Sequence, residues 1–579
     1  MLFKEFAFTL AIAVLISGFV ALTLSPIMSA YAIAPNAKES LLSRRINTGF
    51  LRLQNAYRGV LTVLLKHNGK VLFVAVFIAI LAVPFFLFSK NELAPTEDES
   101  RINVVVSGPP EASLAYTERY MHSVVAAMEE LPGTDIMWQV LTGSGAYSGM
   151  QFKPFEQRNK SVHEMLPIAF GSLSQIGGVS ARPVLPSALP TAGRFQVELV
   201  VLAPDDAETM LPYASQIVQE AMRSGKFMWA DSDLRIDLPQ ATFKLDRERI
   251  ADLGMDVADV SRQLGLFLSG NFVNRFDLDG RAYRVIPMIV EEGRPNPSAL
   301  MNLKIRTPDG DLLPLSALAT LEESVAPRLL GKFQQNNAFR IIGGLLPGIT
   351  PDQGLVALEE IIAGVVPAEY SIDYAGESRQ QRKEGNTLIG VLGFSLAFVF
   401  MVLAIQFNSI RDPLVVLLGS APLAISGALL FTYFGWTTIN IYSQVGFITL
   451  VGLIAKNAIL VVEFARQLQI EGASKLDAIR ESAVTRLRPV LMTTGATVMG
   501  HFPLVLVTGA GAEARNSIGI ILVAGMLIGT LFTLVILPSV YLKLATNHYA
   551  NQQKNKNSRD QTNYDASTAD TSDLAASPI

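Results

Sequence analysis

The sequence predicts an α-helical polytopic membrane domain carrying a large extracytoplasmic α+β region. Seven apolar stretches are long enough for a hydrocarbon core, which takes about 20 residues: 8–34, 71–89, 387–406, 413–434, 440–465, 489–508 and 516–543. Between the second and third lies a long segment of ordinary soluble composition, 90–386. Two connections are strongly basic. Residues 35–70 carry Lys38, Arg44, Arg45, Arg52, Arg58, Lys66 and Lys70 against Glu39, and 466–488 carry Arg466, Lys475, Arg480, Arg486 and Arg488.

Basic connections stay in the cytoplasm, so the long segment lies outside it, as does the 434–440 turn, where Trp436 suits an interfacial aromatic belt. All seven helices then thread consistently, with residue 1 outside and the polar tail 546–579 inside. That tail is rich in Asn, Asp, Ser, Thr and Gln and is expected to be disordered. The chain starts three residues before an apolar run with no cleavable signal ahead of it, so upstream sequence is expected to be missing.

Composition narrows the function. The chain of 579 residues is 50% hydrophobic with a mean hydropathy of +0.34, too apolar for a soluble protein. Its net charge of −4 and lack of a basic stripe give no nucleic-acid signal. It has no cysteine, which excludes disulfides, thiolate metal sites and cysteine nucleophiles. His67, His122, His163, His501 and His548 are scattered without metal-ligand spacing, and the 17 methionines are dispersed, so no metal site is expected.

Within the long segment, strands and helices alternate. INVVV (102–106) precedes an amphipathic helix over 112–130 and a strand at 135–142. RFQVELVVLAP (194–204), a helix over 206–224 and a strand near 234–238 repeat the order, the split βαβ grammar of ferredoxin-like domains. NFVNRFDLDGRAYRVIPMIV (271–290) reads as two strands about a turn at Asp279-Gly280. The glycine-rich stretch TGSGAYSG (142–149) matches neither a P-loop nor a dinucleotide fingerprint, and reads as a mobile hairpin turn or a gate. No Walker-type sequence occurs, which leaves an ion gradient as the energy source and no cofactor.

The sharpest single signal is Lys456, in the middle of GFITLVGLIAKNAILVVEFA (446–465). A lysine at bilayer depth costs about 2.5–3.5 kcal/mol and faces a partner or a wet cavity, marking an ion or proton pathway; a snorkelling lysine belongs at a helix end. Glu463 is about 10.5 Å further along the axis, so Lys456 has no obvious partner in this chain. In RLRPVLMTT (486–494), Arg486 and Thr493 sit two turns apart on nearly one helix face; an arginine here is otherwise an orientation anchor.

These stretches, with APLAISGALL (421–430) and FKLDRERIADLGMDVADV (243–260), resemble the resistance–nodulation–division family, closest to its proton-driven drug and amphiphile exporters of Gram-negative inner membranes. The resemblance covers all but the tail and matches the family's second repeat plus the sixth helix of the first. It implies that Lys456, Arg486 and Thr493 form a proton relay around carboxylates of a missing N-terminal half. It further implies one porter subdomain at 95–204, a second at 205–238 with 329–375, and a docking subdomain at 239–328. The stretch 142–149, with Gly143, Gly145 and Gly149, corresponds to a switch loop between drug pockets, and Phe195 to a pocket aromatic. Broad-spectrum relatives place phenylalanines at and around this loop; this chain departs, with Ser144, Ala146 and Gly149 there and Tyr147 and Trp138 nearby. A homotrimer working with a periplasmic adaptor and an outer-membrane channel is implied. The competing expectations are a metal-ion exporter of the same family, a translocation or sterol-receptor relative, which lacks the docking insertion, and a nonfunctional gene remnant.

Overall fold

The computed structural model describes residues 4–32, 41–142, 145–189, 193–268, 270–290, 296–384 and 387–547. Most of the polar tail therefore lies outside the described residues.

The chain enters through α1 (Lys4–Ala32), an unbroken apolar helix whose described side chains are all exposed. An amphipathic helix α2 (Leu41–Lys66) follows and seats Leu61 and Leu65 in the core of the membrane bundle. Then α3 (Asn68–Phe88) crosses and ends at Ser89, whose hydroxyl bonds to Thr432 at 2.8 Å.

The first soluble unit contains β1 (Arg101–Ser107), α4 (Leu114–Glu129), β2 (Thr134–Thr142), β3 (Gly145–Phe152), α5 (Val162–Leu173) and β4 (Ser180–Val184). Its antiparallel sheet has the order β2-β3-β1-β4, so β3 separates β1 from β2. The period-two burial of β1 buries Ile102, Val104 and Val106 against Met121, Val124 and Met128 of α4, whose helical spacing supplies one apolar stripe. Ser113 and Ser161 cap α4 and α5, the latter with Glu164 in a reciprocal capping box.

The second unit opens with β5 (Val197–Ala203), α6 (Ala207–Arg223) and β6 (Phe227–Ser232). Here the expected boundary moves. Strand 197–203, assigned to the first porter subdomain from sequence, pairs with strands of the second. All seven of its residues are buried, because it is central in that sheet. The strand expected near 234–238 is likewise two strands, β6 and β7 (Ile236–Leu245), which belong to different sheets.

An insertion follows. It comprises α7 (Arg247–Asp252), α8 (Val257–Leu268), the hairpin β8 (Asn274–Leu278) and β9 (Arg281–Val285), the short helix α9 (Pro297–Leu300), β10 (Lys304–Arg306), β11 (Leu312–Pro314) and β12 (Ala319–Pro327). The hairpin turns at Asp279 and Gly280 with φ of 52° and 71°, the two positive values of a type I′ turn. The insertion has its own small core around Ile250, Val260, Ile305 and Leu315. Among the described residues it joins its host through the antiparallel ribbon β7–β12, which runs in register from Leu245–Ala319 to Leu238–Ala326 and shifts by one residue at the last pair, Ile236–Pro327.

The second unit then resumes with β13 (Lys332–Phe333), β14 (Asn336–Leu345), α10 (Pro351–Val365) and β15 (Ser371–Tyr374). With β6 on β14, its strands lie in the order β6-β14-β5-β15, the arrangement of the first unit. A connecting helix α11 (Gly376–Glu384) leads back to the membrane.

The remaining bundle is α12 (Thr387–Phe407), α13 (Arg411–Leu418), α14 (Ala421–Tyr433), α15 (Ile441–Ile470), α16 (Lys475–Leu506) and α17 (Ala512–Leu544). Among the described residues, seven helical spans are long and apolar enough to cross a membrane, Arg411–Tyr433 counting as one. The sixth starts at Lys475 rather than 489, because a polar first half capped by Ser474 continues into the apolar run. Burial is uneven: most of the apolar stretch of α17 is buried and little of that of α16. Helix α16, like α3 and α12, therefore lies at the outside of the bundle.

Candidate functional site

Two places bring the singled-out residues together. The first is midway along α15. Its entry is fixed by buried Asn440, whose side chain accepts from the backbone N–H groups of Tyr442 and Ser443 and donates to Ser517 on α17 at 3.2 Å. Lys456 is exposed on α15, and among the described residues no carboxylate lies within ion-pair distance of it.

Asn457 is 2% exposed. Its Nδ2 donates to Thr494 Oγ1 on α16 at 3.1 Å and to Thr530 Oγ1 on α17 at 3.5 Å, and the two threonines bond to each other at 3.1 Å. The polar triangle ties three helices where apolar packing alone would leave their rotation free.

This triangle sets the depth of the predicted relay. Asn457 and Thr494 face each other across antiparallel helices, so Lys456 and Thr493, each one residue earlier, lie within about 3 Å of each other in depth. One step back turns about 100° in opposite senses on the two helices, which brings both residues to the same side of the pair. Thr493 donates to Val490 O at 3.1 Å. Arg486 is elsewhere: its guanidinium stacks 4.5 Å from the ring centroid of Phe464, about 12 Å along the axis from Lys456. Its Nε is buried with no partner among the described residues. Sequence reading missed Asn457, Thr494 and Thr530. The available signal was weak, small polar residues within apolar helices, two of the three beside residues already chosen for their chemistry.

The second place is the junction of the two soluble units. The stretch 142–149 is mostly strand, not loop. Gly145 opens β3 opposite Thr142 and Ser107, and Gly149 pairs with Trp138 and Asn103. Gly143 lies outside the described residues. The two glycines serve close approach. A Cβ on Gly145 would sit 2.4 Å from the Val106 carbonyl oxygen, and one on Gly149 would sit 2.5 Å from the Trp138 indole.

Trp138 and Tyr147 touch, with centroids 5.4 Å apart. Phe195 does not join that pair; its ring meets Trp229 edge-on at 5.5 Å. Arg194, next to Phe195, reaches Tyr147 with its guanidinium 5.6 Å from the centroid. A narrow cleft beside them is lined by Leu185, Ser187, Arg194, Phe195, Gln196 and Glu377.

The soluble region is also fastened to the bundle. Glu97 caps α17 by accepting from the N–H groups of Glu513 at 3.2 Å and Ala514 at 2.8 Å. Glu92 accepts from Thr438 at 2.5 Å, and burial is the main cause that lifts its carboxyl above the ordinary range.

A multi-helix membrane bundle with a two-unit α+β region and a mid-membrane cation on an open face defines a class, the polytopic transporters. The chain belongs to the AcrB/AcrD/AcrF family, whose model matches residues 1–545. It is thus a resistance–nodulation–division transporter chain by family. It is 36% identical over 559 residues to an uncharacterised transporter of Haemophilus influenzae, covering 94% of this chain and 54% of that protein. It is 29% identical over 572 residues to the toluene efflux pump membrane transporter TtgB of Pseudomonas putida, with coverage of 94% and 54%. To the multidrug export protein AcrF of Escherichia coli it is 27% identical over 563 residues, with coverage of 93% and 54%. The chain spans about half the length of the curated relatives it matches.

Proposed function

We propose that this chain is one part of a proton-driven exporter of hydrophobic or amphiphilic compounds in the inner membrane of a Gram-negative cell. In this reading a partner half brings carboxylates against the open face of α15 and α16. Protonation of those carboxylates releases Lys456, and its movement against Thr493 shifts the helices. Each proton crossing 100 mV delivers about 2.3 kcal/mol, but only through a group that binds it. The complex is a trimer that passes its cargo to a periplasmic adaptor and an outer-membrane channel.

The observation that carries the reading is the exposed Lys456, in mid-span, within about 3 Å of the depth of Thr493 and on the same side. Such a charge is costly against lipid and cheap against a carboxylate. The repeated strand order β2-β3-β1-β4 and β6-β14-β5-β15 supports reading both soluble units as ferredoxin-like porter subdomains, with 239–328 as the docking subdomain. The hairpin from Thr142 to Gly149 is the gate between pockets, and Trp138, Tyr147 and Phe195 contact cargo. The names of the relatives, a toluene efflux pump and a multidrug export protein, support an apolar cargo.

The test is uncoupler-sensitive efflux of a fluorescent hydrophobic dye, from cells making residues 1–579 alone and from cells making them with a partner half. Efflux is expected only from the pair, and is expected to vanish in Lys456→Ala at unchanged membrane abundance. Undiminished proton-dependent efflux by Lys456→Ala would sink the relay, and efflux from the chain alone would sink the need for a partner.

A further inference from the structure

Two arginines stand over aromatic rings at the junction of the soluble units, and their charges are met differently. Arg182, on β4, lies 4.8 Å from the Trp229 centroid and is ion-paired with Asp231 Oδ2 at 2.5 Å, a carboxylate it shares with Arg235 at 2.7 Å. Arg194 lies over Tyr147, and among the described residues no carboxylate is within ion-pair distance of its guanidinium. Two acids lie nearby. Buried Glu198 spends Oε1 on the backbone N–H groups of Arg194 at 2.9 Å and Phe195 at 3.2 Å. Glu377 accepts the Ser187 hydroxyl at 3.0 Å. Its carboxyl is pushed above the ordinary range by burial, against the pull of that hydroxyl and with further push from Glu92 and Glu198. Arg194 of the cleft thus has no ion-pair partner among the described residues, and its guanidinium lies over the ring of Tyr147, which Trp138 touches in turn.

We propose that Arg194 makes this cleft selective for amphiphiles with an anionic head group, a sulfonate or carboxylate on an aromatic body. The head group takes the planar fork of the guanidinium, and the body lies on Tyr147 and Trp138. Arg182 cannot serve in the same way, because Asp231 already occupies it. This inference rests on reading the cleft as a cargo site.

The experiment compares two probes that share one ring system, 8-anilinonaphthalene-1-sulfonate and neutral N-phenyl-1-naphthylamine. Their binding to the full chain in lipid nanodiscs is followed by fluorescence titration. Arg194→Gln is expected to weaken the sulfonate about tenfold and leave the neutral amine unchanged; Arg194→Lys recovers part of the loss, and Trp138→Ala weakens both probes. If Trp138→Ala weakens both but Arg194→Gln spares the sulfonate, or lowers both probes equally, the charge preference is wrong while the cleft remains a cargo site. If neither Trp138→Ala nor Phe195→Ala changes either probe, the cleft reading fails and the preference with it.

Discussion

Lys456 and Asn457 are neighbours in sequence and opposites in environment: the lysine is exposed on α15, while the asparagine is buried and bonded to Thr494 and Thr530. The buried amide fixes the helix's rotation, and the fixed rotation aims the charge.

From this pair comes a division of labour. Asn457→Ala is expected to destabilise the bundle by about 1 kcal/mol, since Thr494 and Thr530 keep their mutual bond. Lys456→Ala is expected to stay within about 0.5 kcal/mol, because it removes no hydrogen bond or ion pair among the described residues. Thermal unfolding in one lipid composition measures both. A larger loss for Lys456→Ala than for Asn457→Ala would contradict the assignment of roles.

The base of the first soluble unit should carry an acid-sensitive lock. Asp98 is buried with Arg158; its carboxylate also accepts from Val162 N at 3.0 Å and Ser100 N at 3.0 Å. Burial pushes this carboxyl up, but the Arg158 bond and the two backbone donors together outweigh it and hold it below the ordinary range. A depressed carboxyl stabilises the fold above its unfolded value, about 3.9, and loses that contribution as pH falls through the folded value. Asp98→Asn is therefore expected to cost about 3–5 kcal/mol at pH 7, by stranding Arg158. The gap from the unmodified chain should shrink as pH falls below about 4. Denaturant midpoints at both pH values decide it, and an unchanged gap at low pH would refute the lock.

The central strand of the same sheet offers a coupled pair. Gly149→Ala is expected to cost about 1–3 kcal/mol, because its new methyl group takes the space of the Trp138 indole. Trp138→Ala should relieve much of that, giving a double-mutant coupling of about 1 kcal/mol or more. Gly145→Ala meets a backbone carbonyl instead and should find no such relief. Simple additivity of Gly149→Ala and Trp138→Ala would mean that the indole does not depend on the missing side chain.

What was legible in the sequence followed periodicity and charge. The apolar spans, the basic connections, β1, β2, α4, α6 and the Asp279-Gly280 turn all carry strong local signals. Strand β3 did not, because its glycines serve contacts with Val106 and Trp138 that are distant along the chain. Helix α16 hid its first turns behind charges that suit a cytoplasmic connection. Strand β5 follows the first unit in sequence, and only pairing with β14 and β15 assigns it to the second. Lys456 was conspicuous because charge in an apolar run is rare. Asn457 was not, because its partners lie 37 and 73 residues away.

The ribbon β7–β12 has one more implication. Both crossings of the insertion occur side by side, with Arg328 clamping Asp237 through Nη2 at 2.7 Å and its backbone N–H donating to Arg235 O at 3.0 Å, just where the ribbon leaves its host. To the host sheet, everything beyond that clamp is topologically a single hairpin turn. Recombination could then swap the whole distal module as a cassette, leaving the two soluble units and the membrane helices as they were. A lineage could exchange that module without refolding the rest of the chain.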